Sequence, residues 1–155
     1  MKLHLSTYRY ASVREPYEGL RIGTARFVPR GVRREFWQSQ GYFDLWVPLL
    51  APPAELVEQF RHGEMTFTKF SDGYRRAMKQ RESSQVIELL AGIALFLPIS
   101  VGCFCEDETK CHRSVLRKLI EKAAEQKEAG FRALGKPADL MKLASPVCFA
   151  GEEGF

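Results

Sequence analysis

The stretch ISVGCFCEDETKCHRSVLRKLIEKAAEQK, residues 99–127, decides the fold. It opens with an uncharged run, residues 99–105, of the kind typical of a strand buried on both faces. A helix is predicted over residues 112–128, because apolar side chains recur there at helical spacing, at Leu116, Leu119, Ile120 and Ala123. A buried strand that leads through a short loop into an amphipathic helix is a unit of α/β proteins.

The rest of the chain alternates between the same two patterns. Extended segments are predicted at residues 3–7, 20–28 and 44–50, although Pro48 interrupts the third. Helices are predicted at residues 32–40, 53–61, 66–81 and 86–97, the last capped by Ser83 or Ser84. The sequence therefore predicts an α/β protein, a small Rossmann-like three-layer domain with a mainly parallel sheet.

The length of 155 residues suits one domain with its own core. Residues 1–130 are predicted to form that single α/β domain. Residues 131–155 are predicted to be a C-terminal tail with a short helix at PADLMKL, residues 137–143. The net charge of +4 is compatible with a phosphate-bearing partner but does not require one.

The apolar stretches and the cysteines indicate the compartment. No run reaches the length of about 18 apolar residues that a membrane helix needs. The first ten residues, MKLHLSTYRY, lack a signal-peptide pattern, so a cytoplasmic protein without membrane contact is expected. Thiols are normally reduced there, and the four cysteines are expected to be free or metal-bound rather than paired in disulfides.

The loop CFCEDETKCHR, residues 103–113, is the candidate site. Ligands of α/β sheets gather at the carboxyl ends of strands, beside helix N-termini, and this loop lies at such a place. Cys111 is expected to have a lowered pKa there, helped by His112 and Arg113. Because a cation at a helix N-terminus opposes the helix dipole, His112 and Arg113 are expected to serve an anion or a reaction. The predicted catalytic residues are Cys111, Cys105 and His112.

The predicted ligand-binding residues are Arg26, Arg30, Arg113 and Glu106. Arg26 and Arg30 follow a predicted strand, and guanidinium groups match phosphate or carboxylate oxygens in bidentate fashion. A phosphate-bearing small molecule or a nucleic acid is therefore the expected partner, bound beside a thiolate. A cysteine-dependent enzyme of unspecified reaction is compatible with this site, and no cofactor is assigned to it.

Two alternatives use the same residues differently. A non-catalytic module could bind nucleic acid through the basic and aromatic residues of segment 26–46. A structural zinc module could use Cys105, Cys111 and His112, with Cys103 as a further ligand. The gaps between these ligands are one, five and zero residues, whereas zinc ligand pairs are usually two to four residues apart. Adjacent Cys111 and His112 would also point about 100° apart on a helix, so no metal is assigned.

Four stretches of the sequence resemble the domain-of-unknown-function 488 (DUF488) family, especially its YeaO-like branch. They are CFCEDETKCHRSVL (103–116), ARFVPRGV (25–32), LLAPPAEL (49–56) and FSDGYRRAM (70–78). The branch has an aspartate and a tryptophan where this chain has Ala25 and Val28. The resemblance spans residues 20–120 and implies a compact Rossmann-like α/β fold without an established activity.

Overall fold

The computed structural model describes residues 2–134. Its strands are β1 (Leu5–Arg9), β2 (Leu20–Gly23), β3 (Leu45–Trp46) and β4 (Ile99–Cys103). Its α-helices are α1 (Ala54–Arg61), α2 (Phe67–Ala77), α3 (Arg81–Ala94) and α4 (His112–Leu134). Three 3-10 helices lie at Arg34–Phe36, Pro48–Leu50 and Glu108–Lys110. The sheet order is β1-β4-β2-β3 and its pairings are parallel. The predicted Rossmann-like α/β fold is thus confirmed.

Strand β4 lies in the interior of the sheet. Its Val101 pairs with Thr7 of β1 on one side and with Ile22 of β2 on the other. All five residues of β4 are buried, as expected for a strand with helices packed on the sheet. The uncharged run at residues 99–105 had predicted this position.

The helices α2, α3 and α4 supply the main core on one face of the sheet. Their buried side chains include Tyr74, Leu90 and Leu116, which pack with Ile99 and Val101 of β4. Helices α3 and α4 lie against each other, and α4 also lies against β1 and β4. This arrangement fixes the N-terminus of α4 beside the carboxyl end of β4, where the candidate loop lies.

Loops and 3-10 segments cover the opposite face, where Tyr8, Tyr10 and Phe43 form a second core. The Tyr8 ring lies so close to Gly102 that a Cβ atom at this position would collide with it. Arg21 is also buried on this face, with its guanidinium carbon 4.4 Å from the centre of the Tyr8 ring. Arg21 pairs with Glu18 and donates to backbone carbonyls of the loop between β1 and β2, so this buried charge is compensated.

Several element boundaries differ from the sequence predictions. Strand β2 ends at Gly23 instead of residue 28, because the chain then leaves the sheet and the Ala25 N–H donates to the Tyr10 hydroxyl. Strand β3 has two residues, since Pro48, which has no N–H for the sheet, begins a 3-10 helix. The helix predicted at 32–40 is a 3-10 turn at Arg34–Phe36.

The ends of α3 and α4 also differ from prediction. Helix α3 begins at Arg81, and the Ser83 hydroxyl donates to the Leu49 carbonyl instead of capping the helix. Helix α4 continues to Leu134, while the helix predicted at 137–143 lies outside the described residues. The division into a domain and a tail stays a prediction. Within residues 2–134, no helix combines the length and apolarity that a membrane crossing requires.

Candidate functional site

The loop between β4 and α4 positions Cys111 immediately before the helix. The 3-10 helix Glu108–Lys110 precedes it, and the Cys111 N–H donates to the Glu108 carbonyl over 3.2 Å. Cys111 has an extended backbone, with φ −124° and ψ 145°. Its carbonyl accepts from the N–H and the hydroxyl of Ser114, at 3.2 and 2.9 Å. Cys111 is therefore the residue that caps α4, outside its first turn.

Three cysteines and one histidine meet at this loop, and we call Cys103, Cys105, Cys111 and His112 the cysteine–histidine cluster. The Sγ atoms of Cys103 and Cys105 are 3.7 Å apart. The Sγ atom of Cys111 lies 3.8 Å from Nδ1 of His112. Cys103, Cys111 and His112 are buried, whereas Cys105 is exposed. The cluster thus has a buried part and one member at the surface.

Thr24, at the end of β2, orients the ring of His112. Nε2 of His112 lies 3.2 Å from the Thr24 carbonyl oxygen and 3.0 Å from its hydroxyl oxygen. The Thr24 hydroxyl donates its own proton to the Gly102 carbonyl. Nε2 must therefore carry the hydrogen, which leaves Nδ1 as an acceptor on the side of Cys111. The ring also packs edge-on against Tyr74, with centroids 5.5 Å apart.

The contacts among the three thiols of the cluster favour ionisation of Cys105 over that of Cys103 and Cys111. A hydrogen bond from Cys103, and a second one from Cys111, lower the pKa of Cys105 far below its usual value. Hydrogen bonding to the neighbouring thiols is the main cause that raises the pKa values of Cys103 and Cys111, and burial and the negative charge of Cys105 add to it. Burial lowers the pKa of His112 to about 4, so its imidazole is neutral at pH 7. The expected lowering of the pKa of Cys111 is wrong; the surface thiol of Cys105 takes that role.

Arg113 stabilises the backbone where the chain leaves β4. It is buried, and its Nη1 donates to the carbonyls of Tyr8, Cys103 and Cys105, at 3.2, 3.4 and 2.9 Å. Its Nη2 donates to the Glu106 carbonyl at 3.4 Å. A cation at the start of α4 is thus explained by the strand-end carbonyls that it satisfies. The predicted contact of Arg113 with a ligand stays a prediction, and the geometry favours a structural role.

Arg26, Arg30 and Glu106 lie at the surface, unlike the buried part of the cluster. Arg26 follows β2, and its Nη2 donates to the Pro52 carbonyl over 2.7 Å. Arg30 is exposed in the next loop. Glu106 is exposed and pairs with Arg9, at 3.0 Å between Oε1 and Nη2. The structure therefore brings together the predicted catalytic residues Cys105, Cys111 and His112. The predicted ligand-binding residues Arg26 and Arg30 lie on the chain that follows β2.

Thr24 was missed from the sequence, and Cys103 was considered there only as a further zinc ligand. Cys103 is buried, like a core residue, yet its sulfur contacts Cys105 and belongs to the same group as Cys111 and His112. Thr24 has only one sequence signal, a small polar side chain directly after strand β2. Its contact with His112 joins residues 88 positions apart, which no local pattern could predict.

The cluster also contains atoms that could hold a metal ion. One ligand atom from each of Cys103, Cys111 and His112 lies within 4.8 Å of the other two. The geometric argument against a shared ion is wrong, because it placed Cys111 and His112 on the same helical turn. Cys111 has an extended backbone before the helix, and its sulfur can therefore face the ring of the next residue.

The aromatic residues of the alternative nucleic-acid surface are divided between interior and surface. Phe43 is buried, and the centroid of Trp37 lies 5.3 Å from that of Phe43. Phe36 and Trp46 are partly exposed, at 43% and 39%, and the Trp46 indole donates to the Ala25 carbonyl. Part of the predicted stacking surface thus belongs to the second core, and nucleic-acid binding by segment 26–46 stays a prediction.

A protein-family model matches residues 5–124, which is more than three quarters of the chain. It is that of DUF488-N3a, described as the active DUF488-N3 subclade. Searches among curated proteins and solved structures found no match. The matched range runs from β1 through the whole cysteine–histidine cluster into α4. The chain therefore belongs to the DUF488 family, as the resemblance of its sequence motifs had predicted.

Proposed function

We propose that the cysteine–histidine cluster is the functional centre, where Cys105 acts as a reactive thiol beside a bound phosphate-bearing ligand. The observation that carries this proposal is the exposure of Cys105 within a cluster whose other members are buried. A reagent or ligand at the surface therefore meets Cys105 first. The family model that matches this chain is named for an active subclade, which agrees with a chemically competent site.

The position of the Cys105 thiol is well defined by its surroundings. Its sulfur lies 3.7 Å from that of Cys103. Its carbonyl accepts from the buried guanidinium of Arg113 over 2.9 Å. A thiol held at the carboxyl end of a central parallel strand occupies the usual ligand position of an open α/β sheet. These contacts support a built site in preference to an incidental surface cysteine.

The ligand class is proposed from the charges that surround this edge of the sheet. Arg26 and Arg30 are exposed on the chain that follows β2, the strand that neighbours β4. The contact of Arg26 with the Pro52 carbonyl fixes part of its side chain. Guanidinium groups hold phosphate oxygens in bidentate geometry, and the N-terminus of α4 also favours an anion. A nucleotide or a nucleic-acid fragment fits this chemistry.

Alkylation rates test the reactive thiol. The full chain, reduced and treated with a chelator, is labelled with iodoacetamide, and each cysteine is followed by peptide mass spectrometry. We expect Cys105 to react first and the buried Cys103 and Cys111 to react slowly. Adenosine monophosphate or inorganic phosphate is expected to slow the labelling of Cys105.

Variants then separate ligand binding from thiol reactivity. Arg26→Ala and Arg30→Ala are expected to abolish the protection by phosphate compounds while the unprotected rate stays the same. Arg34→Ala, another exposed arginine, is the matched control and should keep the protection. Equally slow labelling of all cysteines would refute the reactive thiol, and a rate unaffected by phosphate compounds would refute the proposed ligand.

A further inference from the structure

We propose that Cys103, Cys111 and His112 form a binding site for one zinc ion, and that Cys105 is not required for it. Each residue offers one ligand atom, and the three atoms lie within 4.8 Å of one another. The site uses the cluster described above but does not depend on the reactivity of Cys105 or on a phosphate-bearing ligand. A zinc ion bound there would be an additional component of the cysteine–histidine cluster.

The distances are close to those of a tetrahedral zinc site. With Zn–S bonds of about 2.3 Å and Zn–N bonds of about 2.0 Å, ligand atoms lie about 3.5–3.8 Å apart. The Cys111 sulfur and Nδ1 of His112 are 3.8 Å apart. The largest separation among the three atoms is at most 4.8 Å. Side-chain rotations that move the ligand atoms by about 1 Å would therefore bring all three within bonding distance of one ion.

The orientation of His112 has the form that metal-bound histidines usually show. Such a histidine donates the N–H of its second ring nitrogen to a carboxylate or a backbone carbonyl, which fixes the tautomer. In this chain Nε2 lies 3.2 Å from the Thr24 carbonyl oxygen, and Nδ1 points to the cluster. This contact is independent of the cysteine positions and provides a second indication of a ligand.

The chemistry of the three ligands favours zinc over harder cations. Thiolate and imidazole are ligands of zinc and other soft or borderline metals, whereas magnesium and calcium prefer oxygen. Two thiolates with one Zn²⁺ are neutral overall, so the ion would compensate the charge of two thiolates that are almost fully buried. Three protein ligands leave a fourth position open, as in zinc sites that take part in reactions.

Metal binding is measured on the full chain, purified without an affinity tag and kept reduced. Zinc is titrated against a chromophoric chelator, and cobalt is added separately as a spectroscopic probe. We expect one zinc per chain and a near-ultraviolet thiolate-to-cobalt charge-transfer band. Failure to compete for zinc, or a cobalt spectrum without that band, would overturn the inference.

Single variants identify the ligands. Cys103→Ser, Cys111→Ser and His112→Ala are each expected to weaken zinc binding more than about 100-fold, because the loss of even an outer partner costs roughly 10- to 100-fold. His62→Ala is the control, since His62 is exposed and its Nδ1 lies 3.8 Å from the Glu64 carboxylate. Cys105→Ser is expected to keep zinc binding. Wild-type affinity in the three ligand variants, or its loss in Cys105→Ser, would contradict the proposed ligand set.

Folding measurements and the labelling of Cys105 distinguish failure of the metal site from failure of the reactive thiol. Circular dichroism shows whether each variant folds, and chelator should lower the melting temperature of the wild type if it removes a bound ion. An unchanged melting temperature would count against the site even if every ligand variant were unfolded. Zinc binding without fast labelling of Cys105 would refute only the reactive thiol. Fast labelling of Cys105 without zinc binding would refute only the metal site.

Discussion

At the scale of single residues, Arg113 shows how a residue that suggests a ligand site can be a structural support. A guanidinium at the start of a helix opposes the helix dipole. Arg113 instead satisfies backbone carbonyls where β1 ends and where the chain leaves β4. It is 4% exposed, so its hydrogen bonds are shielded from water. The conformation that presents Cys105 depends on this side chain.

Replacing Arg113 should therefore lower stability strongly. Arg113→Met is expected to reduce the free energy of unfolding by about 3 kcal/mol, because hydrogen bonds of a charged donor are lost and buried carbonyls lose a partner. Arg117→Met is the control on the same helix; Arg117 is partly exposed and pairs with Glu121, and such pairs contribute less than about 1 kcal/mol. Urea unfolding measures both. Equal losses would show that Arg113 has no special role.

At the scale of elements, much was predictable from the sequence, and the reasons are local. The uncharged composition of β4 and the apolar spacing of α4 depend only on neighbouring residues, so their positions and the place of the loop could be predicted. Which of the thiols is exposed could not be predicted in this way. The exposure depends on the 3-10 helix Glu108–Lys110 and on the extended backbone of Cys111. The contact of Thr24 with His112 is long-range in sequence.

Two glycines in different elements should respond to alanine with opposite signs. A Cβ at Gly102 of β4 would collide with the Tyr8 ring, and overpacking of this kind costs about 1–3 kcal/mol or more. A Cβ at Gly92 of α3 would lie 4.0 Å from the Lys127 side chain, an ordinary contact. Gly92→Ala should stabilise by up to about 1 kcal/mol, the difference in helix propensity. Thermal unfolding of both variants tests this, and destabilisation by Gly92→Ala would contradict it.

At the scale of the whole molecule, Asp44 joins the loop after β1 to the sheet. Its carboxylate binds Arg14 through both oxygens, at 2.9 and 2.7 Å, and accepts from the Arg21 N–H and from Gln38. Burial alone would raise the pKa of Asp44, but these hydrogen bonds outweigh it and lower the pKa below its usual value. The ionised carboxylate is therefore favoured by folding.

This contact should make stability sensitive to acid. A group whose pKa is lower in the folded state stabilises above its unfolded pKa, about 4 for aspartate, and this stabilisation is lost as pH falls through the folded pKa. The free energy of unfolding should thus fall below pH 4 in the wild type, and less steeply in Asp44→Asn. Urea titrations from pH 7 to pH 3 measure the two slopes. Parallel curves would show that Asp44 does not contribute. Asp72→Asn, an exposed carboxylate paired with Arg75, is the control.

The place of β4 in the sheet has a consequence for the order in which the protein is made. Strand β1 pairs with β4 rather than with β2, the next strand along the chain. During synthesis, β1 and β2 emerge long before residues 99–103, which lie two thirds of the way along the chain. Pairings between residues so far apart in sequence form slowly, and unpaired strand edges are prone to aggregate. We therefore expect a nascent chain of this protein to expose unpaired edges of β1 and β2 until β4 has emerged.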